Sequence, residues 1–123
     1  MTQTRTRLVS ALSMLLGVVM IGGGAIKLAG LHSQVVAFTG WGLPPWFRAL
    51  VGTFEVLGGI LLVVAATRPA GSLILSTIMV GALWAHAANG EWPHLMPVAI
   101  LLSLFLTIFG VNRAQARRLL GGP

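Results

Sequence analysis

Lys27, Glu55 and His86 are the residues of this sequence whose chemistry is hardest to reconcile with their surroundings. Each lies inside a long run of apolar and small residues. A carboxylate and an imidazole can exchange protons with a bound molecule, and an ammonium group can neutralise a carboxylate or donate hydrogen bonds. Which of these reactions is available depends on the segments that position the three side chains.

The composition of the chain is that of a membrane protein. Its 123 residues are 56% hydrophobic and 8% charged, with a mean hydropathy of +0.92. Soluble domains carry about 25% charged residues, so this chain has too few charges to cover a water-facing surface. The net charge of +6 comes from scattered Lys and Arg residues without a basic stripe, which argues against nucleic acid as a partner. Cysteine is absent, so the chain itself supplies no thiolate and no disulfide.

Four apolar stretches predict an all-α, four-transmembrane-helix bundle that forms a single membrane domain in the lipid bilayer. They cover about residues 8–30, 46–66, 71–88 and 95–111. Each approaches the roughly 20 residues that a helix needs to cross the hydrocarbon core, and none alternates as a membrane strand would. The connection over residues 31–45 contains the apolar run 35–38, which predicts a short helix that is interfacial or re-entrant at the outer face.

The distribution of basic residues predicts that both termini are cytoplasmic, with the protein in the cell (inner) membrane. Only Arg48, next to the first outer loop, is counted on the outer side, and Lys27 lies within a span. The outer turn 89–94 carries Glu91 and no Lys or Arg. The other six of the eight basic residues lie in segments that this orientation places inside: Arg5, Arg7, Arg68, Arg113, Arg117 and Arg118.

The depths of the three ionisable residues predict which of them can meet. With a rise of about 1.5 Å per residue, Lys27 and His86 lie about 6 Å or less below the outer ends of their spans, and Glu55 lies roughly 13 Å below. Side chains lean toward the N-terminus of their helix, so Lys27 leans into the membrane and Glu55 leans outward. The long Lys27 side chain could therefore reach the Glu55 carboxylate, and a pair of these two residues is one of the interpretations that follow.

Glycines near these residues predict that they face helix contacts and not lipid. Glu55 has Gly52, Gly58 and Gly59 three or four positions away, and Lys27 has a similar set of glycines. Small residues let membrane helices approach closely, and polar side chains beside them are kept from the hydrocarbon.

Besides simple snorkelling of Lys27 to the membrane interface, two interpretations of these polar residues stay open. In the first, Lys27 and Glu55 are a structural pair that holds the register of two helices, and His86 hydrogen-bonds nearby. In the second, Lys27, Glu55, His86, Trp84 and Asn89 line an outward-opening pocket that binds a small ligand or a proton. Trp84 enters because the tryptophans fall in the outer half of the protein, and Asn89 because it shares a helical face with His86.

Metal binding has a weaker basis in the sequence. A site is conceivable from three histidines and one carboxylate, but these residues have no recognised ligand spacing, so none is predicted. The residues concerned are His32, His86, His94 and Glu91.

Several short segments together give the chain a resemblance to a known family. Residues 24–30 read GAIKLAG, residues 42–47 read GLPPWF, residues 52–59 read GTFEVLGG, and residues 79–82 read MVGA, followed by His86. Their order and spacing over about residues 10–110 resemble the DoxX-like family of small four-helix membrane proteins. By position, Lys27, Glu55 and His86 match the polar residues of that family.

The resemblance implies fold and location, and for function it implies a group of alternatives. Some relatives are associated with quinone-linked oxidation of thiosulfate, and others with membrane redox complexes or the assembly of partner proteins. We therefore expect an accessory or quinone-binding component of a membrane redox or stress-linked system. Any redox role would need a bound quinone or a membrane or peripheral partner protein, since the chain has no feature of its own for binding haem, flavin or an iron–sulfur cluster. A homo-oligomer is a further expectation.

Three other function classes remain open from the sequence. A small membrane enzyme could use Glu55 and His86 as acid and base on an apolar substrate. A proton-coupled transporter could use Glu55, although a paired Lys27 would neutralise it. An assembly factor would need no chemistry from these residues at all.

Overall fold

The structure is a computed structural model that describes residues 2–119, with side chains through residue 114. Four of its helices are long and apolar enough to cross a membrane, and a short helix lies in the first long connection. These findings confirm the predicted all-α bundle and its additional short helix. In chain order the helices are α1 (Gln3–Ala29), α2 (His32–Gly40), α3 (Pro45–Val63), α4 (Arg68–Ala88) and α5 (Leu95–Leu119).

The first and last helices extend beyond the apolar stretches that predict them. The start of α1 is set by Thr2, whose hydroxyl oxygen accepts a hydrogen bond from the backbone N–H of Arg5 at 3.2 Å. A side-chain acceptor of this kind satisfies one of the free N–H groups that every helix leaves in its first turn. α5 continues past residue 111 to Leu119 as a single helix. The side chains of Arg117 and Arg118 lie outside the described part.

Glycine and proline separate the helices. α1 ends at Gly30, whose φ of 71° is in the left-handed region that favours glycine. Pro45 opens α3 at its first position, where a missing N–H costs nothing. α3 and α4 are joined by Val64 and a 3-10 turn (Ala65–Thr67), and a second 3-10 turn (Trp92–His94) leads into α5.

The helices pack in the order α1 on α3, α3 on α4 and α4 on α5, with α2 resting against α3 and α1. Their buried apolar side chains form one core, which includes Leu16, Met20, Leu62, Leu75, Met79, Phe105 and Ile108. Because successive long helices alternate in direction, α2 and the turn 89–94 lie at the same end of the bundle. We call it the α2 end, and we call the opposite end the termini end.

Glycines bring the backbones of α1 and α3 into direct contact. A Cβ atom added at Gly24 would lie 2.5 Å from the carbonyl oxygen of Gly52, and one added at Gly17 would lie 2.7 Å from that of Gly59. The two contacts are seven residues apart on each helix. From one contact to the other the residue number rises along α1 and falls along α3, as antiparallel packing requires. Gly59 therefore lies at a helix contact, as predicted, and so does Gly58, where an added Cβ would lie 2.9 Å from Leu75 Cγ.

Arg68 caps α3 at the termini end of the bundle. Its side chain is buried, and its guanidinium group donates to the carbonyl oxygens of Leu62 at 2.8 Å and Val63 at 2.9 Å. These are among the last carbonyls of α3, which have no partner within their own helix. The guanidinium thus satisfies carbonyls that the hydrocarbon would leave unpaired, and its charge is favourable at the negative end of the helix.

Candidate polar sites

An ion pair joins α1 and α3 within the bundle. The Nζ atom of Lys27 lies 3.0 Å from Oε1 and 3.3 Å from Oε2 of Glu55. The side chain of Glu55 is 4% exposed and that of Lys27 is 17% exposed, so the carboxylate is enclosed while the ammonium group keeps some access. The predicted contact between these two residues is confirmed.

The surroundings of the pair leave little room for a third group. A Cβ atom added at Gly23 would lie 3.0 Å from Glu55 Oε2, and one added at Gly52 would lie 3.0 Å from Lys27 Cβ. Arg48 supports the same region because its Nε donates to the backbone oxygen of Lys27 at 3.1 Å. The glycines thus allow both side chains to lie in the α1–α3 interface, which is the arrangement expected of a pair that holds two helices in register.

A second polar group lies at the α2 end, and we call it the histidine cluster: Trp41, His86, Glu91 and His94. The Nδ1 atom of His86 lies 2.7 Å from Glu91 Oε1, and the indole Nε1–H of Trp41 donates to the same oxygen at 3.0 Å. The rings of His86 and His94 are stacked, with centroids 4.9 Å apart and planes 9° from parallel. The Trp41 ring meets His86 edge to face, with centroids 5.2 Å apart.

The hydrogen bonds of the cluster set the chemical state of its members. His86 and then Trp41 hold the pKa of the Glu91 carboxyl below its ordinary value, because both donate to the charged form. An ionised carboxylate only accepts, so Nδ1 of His86 carries the hydrogen in this bond. In neutral His86 the other ring nitrogen, Nε2, therefore has a lone pair available.

The end of α4 explains why Glu91 meets His86. α4 ends at Ala88, and Gly90 follows with a φ of 69°. The chain then reverses, so that the Glu91 N–H donates to the His86 carbonyl oxygen at 2.8 Å. This is the six-to-one hydrogen bond of a glycine-terminated helix, and it places the Glu91 side chain beside that of His86.

Two residues of the predicted pocket have other surroundings. Trp84 is 69% exposed on α4, and Trp41, from α2, is the tryptophan that meets His86. The side-chain amide of Asn89 donates to the Ala85 carbonyl oxygen of its own helix at 2.7 Å. In the part of the chain described, Lys27 and Glu55 bond to each other while His86 bonds to Glu91, so these side chains have different polar partners.

The sequence had grouped His86, Glu91 and His94, together with His32, only as a conceivable metal site without a recognised spacing. The tertiary contacts join the first three, which follow an H-x4-E-x2-H spacing, and add Trp41. Gly90, which turns the chain after α4, is a further local signal that these residues could meet. Trp41 lies 45 positions before His86 in the sequence, so no local signal connects the two.

A groove of about 280 Å³ opens between α3 and α4, and its lining is almost entirely apolar. None of the five residues of the predicted pocket lines it. Leu50 is five residues into α3, so the groove begins about 7 Å from the α2 end of that helix. It is lined by Leu50, Val51, Phe54, Ile74, Thr77 and Ile78.

Comparison with known proteins finds a relative and a family model that each match most of the chain. The uncharacterized protein YdgD of Bacillus subtilis (strain 168) is 28% identical over 98 residues, which cover 76% of this chain and 85% of that protein. No solved structure shows a significant match. The model of the DoxX-like family matches residues 11–108, a range that includes the ion pair and the whole histidine cluster. Since the described residues also include four helices long and apolar enough to cross a membrane, the chain is a multi-pass membrane protein and belongs to the DoxX-like family.

Proposed function

We propose that this protein binds a lipophilic small molecule with a carbonyl-bearing ring, of the quinone class, as an accessory component of a membrane redox system. The observation that carries the proposal is the histidine cluster. It combines aromatic rings with hydrogen-bonding groups at one end of an apolar bundle, and its members are only partly enclosed. A molecule that diffuses in the bilayer and presents a polar ring at the membrane–water interface would meet these groups first.

The chemistry of the cluster suits such a ring. Trp41, His86 and His94 offer flat surfaces, on which a planar head group can stack. His94 is exposed, so its imidazole N–H can donate to a ring carbonyl or hydroxyl without breaking a bond of the cluster. The apolar groove between α3 and α4 could hold part of a long hydrocarbon tail.

The accessory role is part of this proposal. The histidine cluster supplies hydrogen bonds and aromatic surfaces to a ring, and electron transfer would involve the bound quinone and a membrane or peripheral partner protein. An enzyme that uses Glu55 and His86 as one acid–base pair is less well supported, because each of these residues has its own partner.

Quinone binding can be followed by tryptophan fluorescence of the purified protein. A soluble quinone analogue is expected to quench the emission saturably and to raise the thermal stability through mass action. Trp41→Phe should remove most of the saturable quenching, since Trp41 is the tryptophan of the cluster. His86→Ala should weaken binding by about 10-fold, equivalent to roughly 1.4 kcal/mol.

Trp84→Phe is the matched control, because Trp84 lies on the exposed side of α4 and outside the cluster. It should lower the total emission and leave the dissociation constant unchanged. If Trp84→Phe abolished the saturable quenching while Trp41→Phe did not, the head group would lie elsewhere. A response that stays linear with every quinone tested would overturn the proposal.

We also propose that both termini are cytoplasmic in the cell (inner) membrane, with the histidine cluster at the outer face. The support is the basic residues, since Arg5, Arg7, Arg68 and Arg113 belong to the termini end and Glu91 to the α2 end. Reporter fusions after Arg68 and after Pro123, which lies outside the described residues, should read cytoplasmic. A fusion within the turn 89–94 should read external. A cytoplasmic signal from that fusion would contradict the proposed orientation.

A further inference from the structure

We propose that His86, Glu91 and His94 form a binding site for a divalent transition-metal ion of the Zn²⁺ type at the α2 end. Each residue offers one ligand atom, and these atoms all lie within 4.8 Å of one another. Two imidazoles and one carboxylate are a ligand set that Zn²⁺ accepts, with a fourth position left for water or another ligand. This inference goes beyond quinone binding and does not depend on it.

Small side-chain movements would bring the ligand atoms to the distances of a loaded site. Ligand atoms about 2.0–2.2 Å from a tetrahedral Zn²⁺ lie roughly 3.3 Å from one another. His86 Nδ1 and Glu91 Oε1 are 2.7 Å apart, a hydrogen-bond distance, so they would separate by about 0.6 Å on sharing an ion. His94 is exposed, so its side chain can rotate toward the ion.

The orientation of the rings shows which movement is needed. A metal ion must lie near the plane of each imidazole that binds it, whereas the rings of His86 and His94 are now stacked within 9° of parallel. A rotation of the His94 ring about its Cβ–Cγ bond turns a nitrogen toward the ion. To bind through Nδ1, neutral His86 must adopt its other tautomer, in which Nε2 carries the hydrogen and the Nδ1 lone pair faces the ion in place of the hydrogen bond to Glu91.

The surroundings of the ligands favour a built site over a chance cluster. The Trp41 indole N–H holds Oε1 of Glu91, as groups around metal sites commonly hold a ligating carboxylate. The Glu91 backbone is fixed by its bond to His86, and His94 stands in a short 3-10 turn that contains Pro93. The three ligands therefore come from the last turn of α4 and the short, constrained connection that follows it.

Metal binding is tested on the full chain purified with an affinity tag that contains no histidine, after treatment with a chelator. Isothermal titration with Zn²⁺, in the absence of quinone, should give one ion per chain. Co²⁺ should give the intense visible bands of a tetrahedral site. His94→Ala and Glu91→Gln should each weaken the Zn²⁺ affinity by at least about 10-fold.

The variants are chosen so that loss of folding and loss of a ligand can be separated. His32→Ala is the matched control, because His32 is an exposed histidine at the start of α2 and outside the cluster. It should bind as the unchanged protein does. In His94→Cys, Co²⁺ should gain a thiolate charge-transfer band, which arises only if residue 94 contacts the ion.

A His32→Ala effect equal to that of His94→Ala would overturn the assignment, as would the absence of one-to-one binding. A His94→Cys protein that binds Co²⁺ without the new band would exclude residue 94 as a ligand. Because these titrations contain no quinone, their failure leaves the quinone proposal standing, and failure of the quinone titration leaves the metal site standing.

Discussion

Gly24→Leu and Gly59→Leu are each expected to separate α1 from α3 and to lower the midpoint of thermal unfolding by roughly 10 °C or more. A Cβ atom at Gly24 would lie 2.5 Å from the Gly52 carbonyl oxygen, and one at Gly59 would lie 2.6 Å from that of Gly17. Both clashes are with backbone, which cannot rotate away, so a whole helix must move. Overpacking of this kind costs about 3 kcal/mol at the upper end of its usual range.

The same measurement on other glycines separates backbone clashes from side-chain clashes. Gly58→Leu should be milder than Gly59→Leu, because its nearest neighbours are side-chain atoms of Leu75 and Ile74 that can shift. Gly22→Leu is the matched control on α1, since nothing lies within 4 Å of its added Cβ. Leucine at the exposed Ala65 or Ala66 should also be tolerated. Equal loss of stability at Gly22 and Gly24 would contradict the α1–α3 packing.

Breaking the Lys27–Glu55 pair from either side is expected to cost about 3–5 kcal/mol of unfolding free energy, which denaturant titration in detergent micelles can measure. Lys27→Met should be the more harmful change, because it leaves the enclosed Glu55 carboxylate without its counter-ion. Glu55→Gln should cost less, since the longer and more accessible Lys27 side chain can turn toward the α2 end.

The double variant distinguishes a pair from two independent residues. Lys27→Met with Glu55→Gln should recover part of the loss, because removing one partner is worse than replacing both. Lys27→Met combined with Ser103→Ala is the control cycle, since the Ser103 hydroxyl bonds to Ala99 of its own helix and its effect should simply add. Strict additivity for Lys27 and Glu55 as well would mean that the ion pair contributes nothing to stability.

Local sequence was sufficient to predict the four long helices and the Lys27–Glu55 pair. The number of helices follows from the length of each apolar run and from the glycines and prolines between them, which act within a few residues. The pair could be predicted because helix rise gives depth, and the tilt of the Cα–Cβ bond gives direction. The glycines beside Glu55 indicated that the face of α3 carrying Glu55 packs against another helix.

The hydrogen-bond partner of His86 could not be predicted from helix periodicity, because the contact depends on the tertiary structure. The sequence associated His86 with Lys27, Glu55 and Trp84, because all lie in the predicted outer half. In the structure, the turn at Gly90 returns Glu91 to His86. The rotation of α4 that leaves Trp84 exposed accompanies the packing of its other face, where Gly71 and Leu75 meet α3.

The position of α2 is the second feature that the sequence alone does not predict. Its apolar run predicts a short helix but not where that helix lies across the ends of the others. Phe38 is buried and its ring contacts that of Trp41 at a tilt of 56°, with centroids 5.1 Å apart. The packing of α2 against the bundle places Trp41 beside His86 and Glu91. Helix formation is governed by neighbouring residues, whereas the placement of one helix on another depends on how side chains from distant segments fill the space between them.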